Sequence, residues 1–134
     1  MRDLISLRRA GIVVLSLFGL FFVFHVCVIT GIVPHQYVWG GLIESPDEMF
    51  GKELLSMAVL AVSALIVSMR AGFLFPGKLT VLIRIFVWIL FGLFVLNTIG
   101  NLLARTSLET WAFTPITALL AVLLFRMGLS ETNE

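Results

Sequence analysis

Glu53, Asn97, Asn101 and Arg105 are polar residues set within or at the edges of long apolar runs. Ionisable and amide side chains are costly in hydrocarbon unless they are paired or turned toward a polar interior. Asn97 and Asn101 are four residues apart, so on a helix their side chains stack one above the other. Two readings of these amides stand: a clamp on the backbone of a neighbouring helix, or a surface facing a ligand. Glu53 also has two. It forms an ion pair with Arg105, or it is the floor of a polar pocket shared with His35, Trp39, Asn101 and Arg105. On the pocket reading the ligand-binding cluster is His35, Trp39, Glu53, Asn97, Asn101 and Arg105. Acid–base chemistry there would use Glu53 or His35 as base and the Asn pair as oxyanion donors.

His25 and Cys27 add little of that kind. They are two residues apart, so on a helix they diverge, and no carboxylate is expected at their depth. A metal site is therefore not expected, and no cofactor is implied. His25 lies opposite a seam of Ser16, Gly19, Val23 and Cys27, which is expected to pack on a neighbour. A neutral, hydrogen-bonded core histidine is the expectation, because a proton relay needs a second titratable group at the same level. With one cysteine in the chain, no intramolecular disulfide and no dithiol redox site can form.

The elements that must position these residues are four apolar segments, at about 10–33, 49–69, 79–103 and 111–125. A hydrocarbon core about 30 Å thick takes about 20 helical residues to cross. Backbone in lipid must satisfy its own hydrogen bonds, so the segments are helices. Fold class is therefore all-α: one integral-membrane domain over 1–134, a four-helix transmembrane bundle with antiparallel neighbours. The composition agrees. The chain is 60% hydrophobic and 13% charged, with mean hydropathy +1.10, where soluble domains carry about 25% charged residues. A net charge of +1 carries no sign of a nucleic-acid partner. The first segment is too long for a signal-peptide core and lacks a small-x-small cleavage site, so it reads as a retained helix.

Lys and Arg are unevenly placed. Arg2, Arg8, Arg9, Arg70, Lys78, Arg84 and Arg126 gather at one end, while Lys52 and Arg105 alone mark the other. The positive-inside rule then predicts both termini in the cytoplasm, N-in/C-in, with the 34–48 connection outside. Arg70, Lys78, Arg84 and Arg126 are expected to meet anionic lipid headgroups. The tail from Ser130 is expected to fray. Tyr37 and Trp39 suit an interfacial belt. Ser45-Pro46-Asp47-Glu48 is a helix start, with Ser45 as N-cap and Pro46 at the first position.

Two stretches carry a resemblance: Tyr37-Val38-Trp39-Gly40-Gly41 leading to Glu53, and the run from Leu96 through Asn97, Gly100, Asn101 and Arg105 to Thr106. They resemble a family of small, uncharacterised bacterial four-helix membrane proteins. The resemblance implies the same topology over most of the chain and a place in the bacterial inner or plasma membrane. It implies no activity. Small multidrug-resistance transporters also have four spans, but their membrane carboxylate sits in the first helix, where this chain has none.

Two functions follow as expectations. The first is a non-enzymatic bundle that binds membrane lipids or a membrane-protein partner, with homo-oligomers among its forms. The second is an outward-facing polar pocket that binds or converts a small amphipathic molecule. They divide on one point: whether the polar cluster lines an open cavity or closes on itself.

Overall fold

The computed structural model describes residues 4–131. Arg2 and the last residues of the predicted fraying tail lie outside that range. Four long helices make up the bundle: α1, Leu7–Ile29; α2, Pro46–Arg70; α3, Thr80–Leu102; and α4, Thr114–Leu129, which a π-helical turn, Leu108–Phe113, extends without a break. All four are long and apolar enough to cross a membrane. They form a ring in which α1 packs on α2 and α4, and α3 packs on α4 and α2. One face of the bundle carries the start of α1, the end of α4 and the 71–79 turn. The opposite, distal face carries the 30–45 connection and the 103–107 turn.

Local chemistry explains where the helices begin and end. Ser6 caps α1, its hydroxyl accepting from the Arg9 N–H at 3.2 Å, so the helix starts before the predicted residue 10. It stops at Ile29, short of the predicted 33, because Thr30 closes back on Val26 and Gly31 turns to φ +81°. Ser45 caps α2 as expected, accepting from the Glu48 N–H at 3.2 Å, with Pro46 at the first position. The Glu48 carboxylate accepts from the Glu44 N–H instead of completing the box on Ser45. The fourth element is longer than 111–125 because charged residues at both of its ends are buried within the bundle. Pro115 has no N–H to offer the preceding turn. The chain widens there into the π turn, and the Thr114 hydroxyl donates to the Glu109 carbonyl at 3.2 Å.

The terminal half of the bundle holds the fully buried core, with a smaller pocket of about 170 Å³ at its rim beside Arg70, Pro76 and Lys78. Val14, Val67, Val87, Leu120 and Leu124 are fully buried there, and Phe18 stacks on Phe94 at 5.5 Å. Gly128 lets Trp88 lie against α4, since a Cβ at that position would come within 2.7 Å of the indole.

Two predicted lipid contacts, those of the buried Arg70 and Arg126, are corrected at this face. Arg70 donates to the Met127 carbonyl at 3.0 Å and to that of Ser130, and Arg84 donates to the Gly128 carbonyl at 2.8 Å. Arg126 donates to the Ile5 carbonyl at 3.1 Å and to the Ser130 hydroxyl. The last carbonyls of a helix have no partner within it and carry partial negative charge, so inward-turned guanidiniums satisfy both needs. Lys78 stays exposed. Ser130, predicted to fray, is fully buried under this arginine cap.

The predicted seam on α1 is corrected too. Ser16, Gly19 and Val23 are exposed, with nothing within 4 Å of a Cβ built on Gly19. The face of α1 that packs is Ala10, Val14, Phe18 and Val28.

Candidate ligand-binding site

Above this core, toward the distal face, the four helices surround a cavity of about 360 Å³. Its apolar wall includes Phe21, Phe24, Leu60, Leu93, Phe94 and Phe113. Phe113 meets Phe24 edge to face at 4.8 Å and Phe21 at 5.7 Å. The exposed members of the wall are Leu55 and Val59 on α2 and Asn97 on α3. The cavity therefore opens sideways, between α2 and α3.

Glu53 is 1% exposed and anchors the polar end. Its Oε2 hydrogen-bonds Nδ1 of His25, and its Oε1 accepts from the indole N–H of Trp39 at 2.7 Å. Both corrections to the sequence reading lie here. Glu53 pairs with His25 and not with Arg105, and His25 does have a titratable partner at its level. The reason is depth. Because α1 ends at Ile29, His25 is one turn from the helix end, about 6 Å at 1.5 Å per residue. Glu53 lies seven residues beyond Pro46, about 10 Å into α2. The two helices run antiparallel, and the two side chains meet.

A carboxylate on Nδ1 fixes the orientation of an imidazole and leaves Nε2 for other work. Among the described residues Nε2 has no protein partner, and no side-chain nitrogen or oxygen is both buried and unpartnered. Nε2 is therefore accessible, on a ring that lines the cavity. It can accept a hydrogen bond or a proton from a bound molecule.

A second buried carboxylate, Glu109, closes the distal side. It lies in the π turn at 7% exposure. Both its oxygens accept from the Gly40 N–H, at 2.9 and 3.0 Å, and one also accepts from the Thr106 hydroxyl at 2.6 Å. Thr106 in turn accepts from the Glu109 N–H at 3.3 Å. Trp39, Gly40 and Gly41 all have positive φ, at 54°, 68° and 75°. Two glycines make this left-handed path accessible, and it delivers Trp39 to Glu53 while presenting Gly40 to Glu109. The segment is a strap across the cavity, held by a carboxylate at each of two points. Lys52 lies 5.3 Å from the centre of the Trp39 ring and pairs with Glu48 at 3.0 Å.

Of the six residues in the predicted cluster, Trp39, Glu53, Asn97 and Asn101 line this one cavity. Asn101 donates to Thr117 at 3.3 Å, and Asn97 stands at the mouth with no hydrogen-bond partner among the described residues. His35 and Arg105 are elsewhere. His35 sits in a short 3-10 turn, His35–Tyr37, and Arg105 is exposed without a hydrogen bond or ion pair among the described residues. Trp39 faces Glu53, while Tyr37 is exposed. The predicted cluster leaves out His25 and Glu109, which also line the wall. The Glu109 signal was present as Thr106-Ser107-Leu108-Glu109, the spacing of a helix-start capping box. Among the described residues no three His, Cys, Asp or Glu side chains gather as metal ligands would.

No family model, no curated protein and no solved structure matches the chain.

Proposed function

We propose that this multi-pass membrane protein binds a small amphipathic molecule in the cavity beneath the Trp39–Gly41 strap. The polar head lies at His25, Glu53 and Asn97, and the apolar part lies among the phenylalanines. One observation carries the reading: the polar groups of three helices and a loop converge on one end of an otherwise apolar cavity with a side opening. Convergent polar groups in an apolar pocket are the usual form of a small-molecule site. A pure structural clamp would need no such volume. Asn97, an exposed amide at the mouth, has no hydrogen-bond partner among the described residues. Because the mouth lies on the flank of two membrane helices, the molecule enters from the bilayer. The uneven placement of Lys and Arg supports N-in/C-in, which puts the strap on the outer surface of the cell membrane. The resemblance in the 37–41 and 96–106 stretches supports a bacterial inner or plasma membrane.

Trp39 offers a direct test, since Trp88 and Trp111 are the only other tryptophans. In a variant carrying Trp88→Phe and Trp111→Phe, a bromine-labelled dodecanol is expected to quench Trp39 emission to saturation at one molecule per chain. Ser56→Leu fills the cavity without removing a Glu53 contact, and should weaken the effect about tenfold, as a misplaced methyl group or two does in a pocket. Quenching that rises linearly, as simple partition into lipid would, and that Ser56→Leu leaves unchanged, contradicts the proposal.

A further inference from the structure

The chemistry of the cavity wall selects among amphipathic molecules. Two carboxylates, Glu53 and Glu109, line it, and no Lys or Arg does. Lys52 is not among the lining residues and is held over the Trp39 ring and against Glu48. With two carboxylates against one imidazole, the wall carries negative charge in a low-dielectric setting, where charge is felt most strongly. Its rings act in the same direction. Phe21, Phe24, Phe94, Phe113 and Trp39 border the same space, and aromatic faces attract cations by about 0.5–2 kcal/mol each, most when water is excluded. An anion would meet two carboxylates and the negative faces of the rings. Asn97 is the one unpartnered amide on the wall, and its carbonyl oxygen can accept from an N–H.

Resting on the pocket reading above, we infer that the ligand is a lipophilic cation: an ammonium or other organic cation carrying a short apolar chain, entering from the bilayer between α2 and α3. The charged head sits between Glu53 and the aromatic rings, and the chain occupies the space lined by Leu60 and Leu93. An intramembrane carboxylate is then not left alone when the cavity is empty, since His25 and Trp39 hold it until a cation arrives.

Binding of three probes of one chain length separates the alternatives: n-octyltrimethylammonium, n-octanol and octanoate. Each is titrated calorimetrically into the protein in nanodiscs of zwitterionic lipid, with empty nanodiscs subtracted. The ammonium is expected to bind saturably and about tenfold more tightly than octanol, the worth of one or two good cation–ring contacts, and octanoate not at all. Glu53→Gln should remove that preference. Phe113→Leu, which keeps both carboxylates and is a second handle should Glu53→Gln fail to fold, should weaken the ammonium about threefold and leave octanol unchanged. Octanol or octanoate binding as tightly as the ammonium overturns the cation inference while leaving the pocket standing. Saturable binding by none of the three overturns both.

Discussion

Glu53→Ala is expected to destabilise the folded bundle by about 3 kcal/mol, the largest effect of any single change in the cavity wall. The carboxylate is 1% exposed and receives hydrogen bonds from two groups that have no other acceptor. Hydrogen bonds to charged groups contribute about 1.5–3 kcal/mol each, and an orphaned buried donor costs about 1–3 kcal/mol. Alanine removes both bonds, strands the Trp39 indole N–H and frees the strap at one of its anchors. Some loss is recovered if water enters through the side mouth, which holds the estimate below the sum. The check is the SDS fraction at the unfolding midpoint for purified protein in mixed micelles. Trp39→Phe removes one of the two bonds and leaves Glu53 held by His25, so it should cost about 2 kcal/mol, less than Glu53→Ala. A Glu53→Ala variant as stable as wild type would mean that the His25–Glu53–Trp39 contacts are not made in the folded protein.

The second large effect is local. Glu109→Ala should speed hydrogen exchange at the Gly40 amide about 30-fold while leaving the packed terminal half unchanged. That amide donates to both Glu109 oxygens, at 2.9 and 3.0 Å. Losing a charge-assisted bond worth about 2 kcal/mol raises the open population of the strap by about 30-fold. Exchange measured by mass spectrometry on peptides spanning 38–42 reads this directly. Peptides around Val67, Val87 and Leu124, all fully buried, serve as the internal control. Unchanged exchange at Gly40, or faster exchange everywhere, contradicts the picture of a strap pinned by Glu109. Because the two carboxylates hold the same segment, their effects on it are expected to couple and not to add.

Much of the fold is legible in the residues. Twenty-residue apolar runs admit one solution in lipid, and Ser45-Pro46 marks the start of α2 to the residue. The candidate site is half legible. Trp39, Glu53, Asn97 and Asn101 stand out because polar groups in apolar runs must be accommodated. His25 was misjudged through a four-residue error in the end of α1. Hydropathy continues past Ile29 through Ile32 and Val33, whereas the turn is made by Thr30 and Gly31, and hydropathy does not report φ. That error moved His25 about 6 Å deeper than it is and separated it from Glu53. Arg105 stays outside the site for a different reason: closeness in depth is not contact, and the 103–107 turn leaves it exposed. The arginine cap on α4 is invisible in composition, because the positive-inside pattern is the same whether a guanidinium points to lipid or to a carbonyl.

The central claim is that the cavity around Glu53 holds a molecule from the membrane. Native mass spectrometry of the protein released from its own membranes, without harsh delipidation, tests it most directly. The account predicts a discrete extra mass at one copy per chain, lost in Glu53→Gln and retained in a surface control such as Lys78→Gln. A bare chain, or an extra mass that persists in Glu53→Gln, would contradict it.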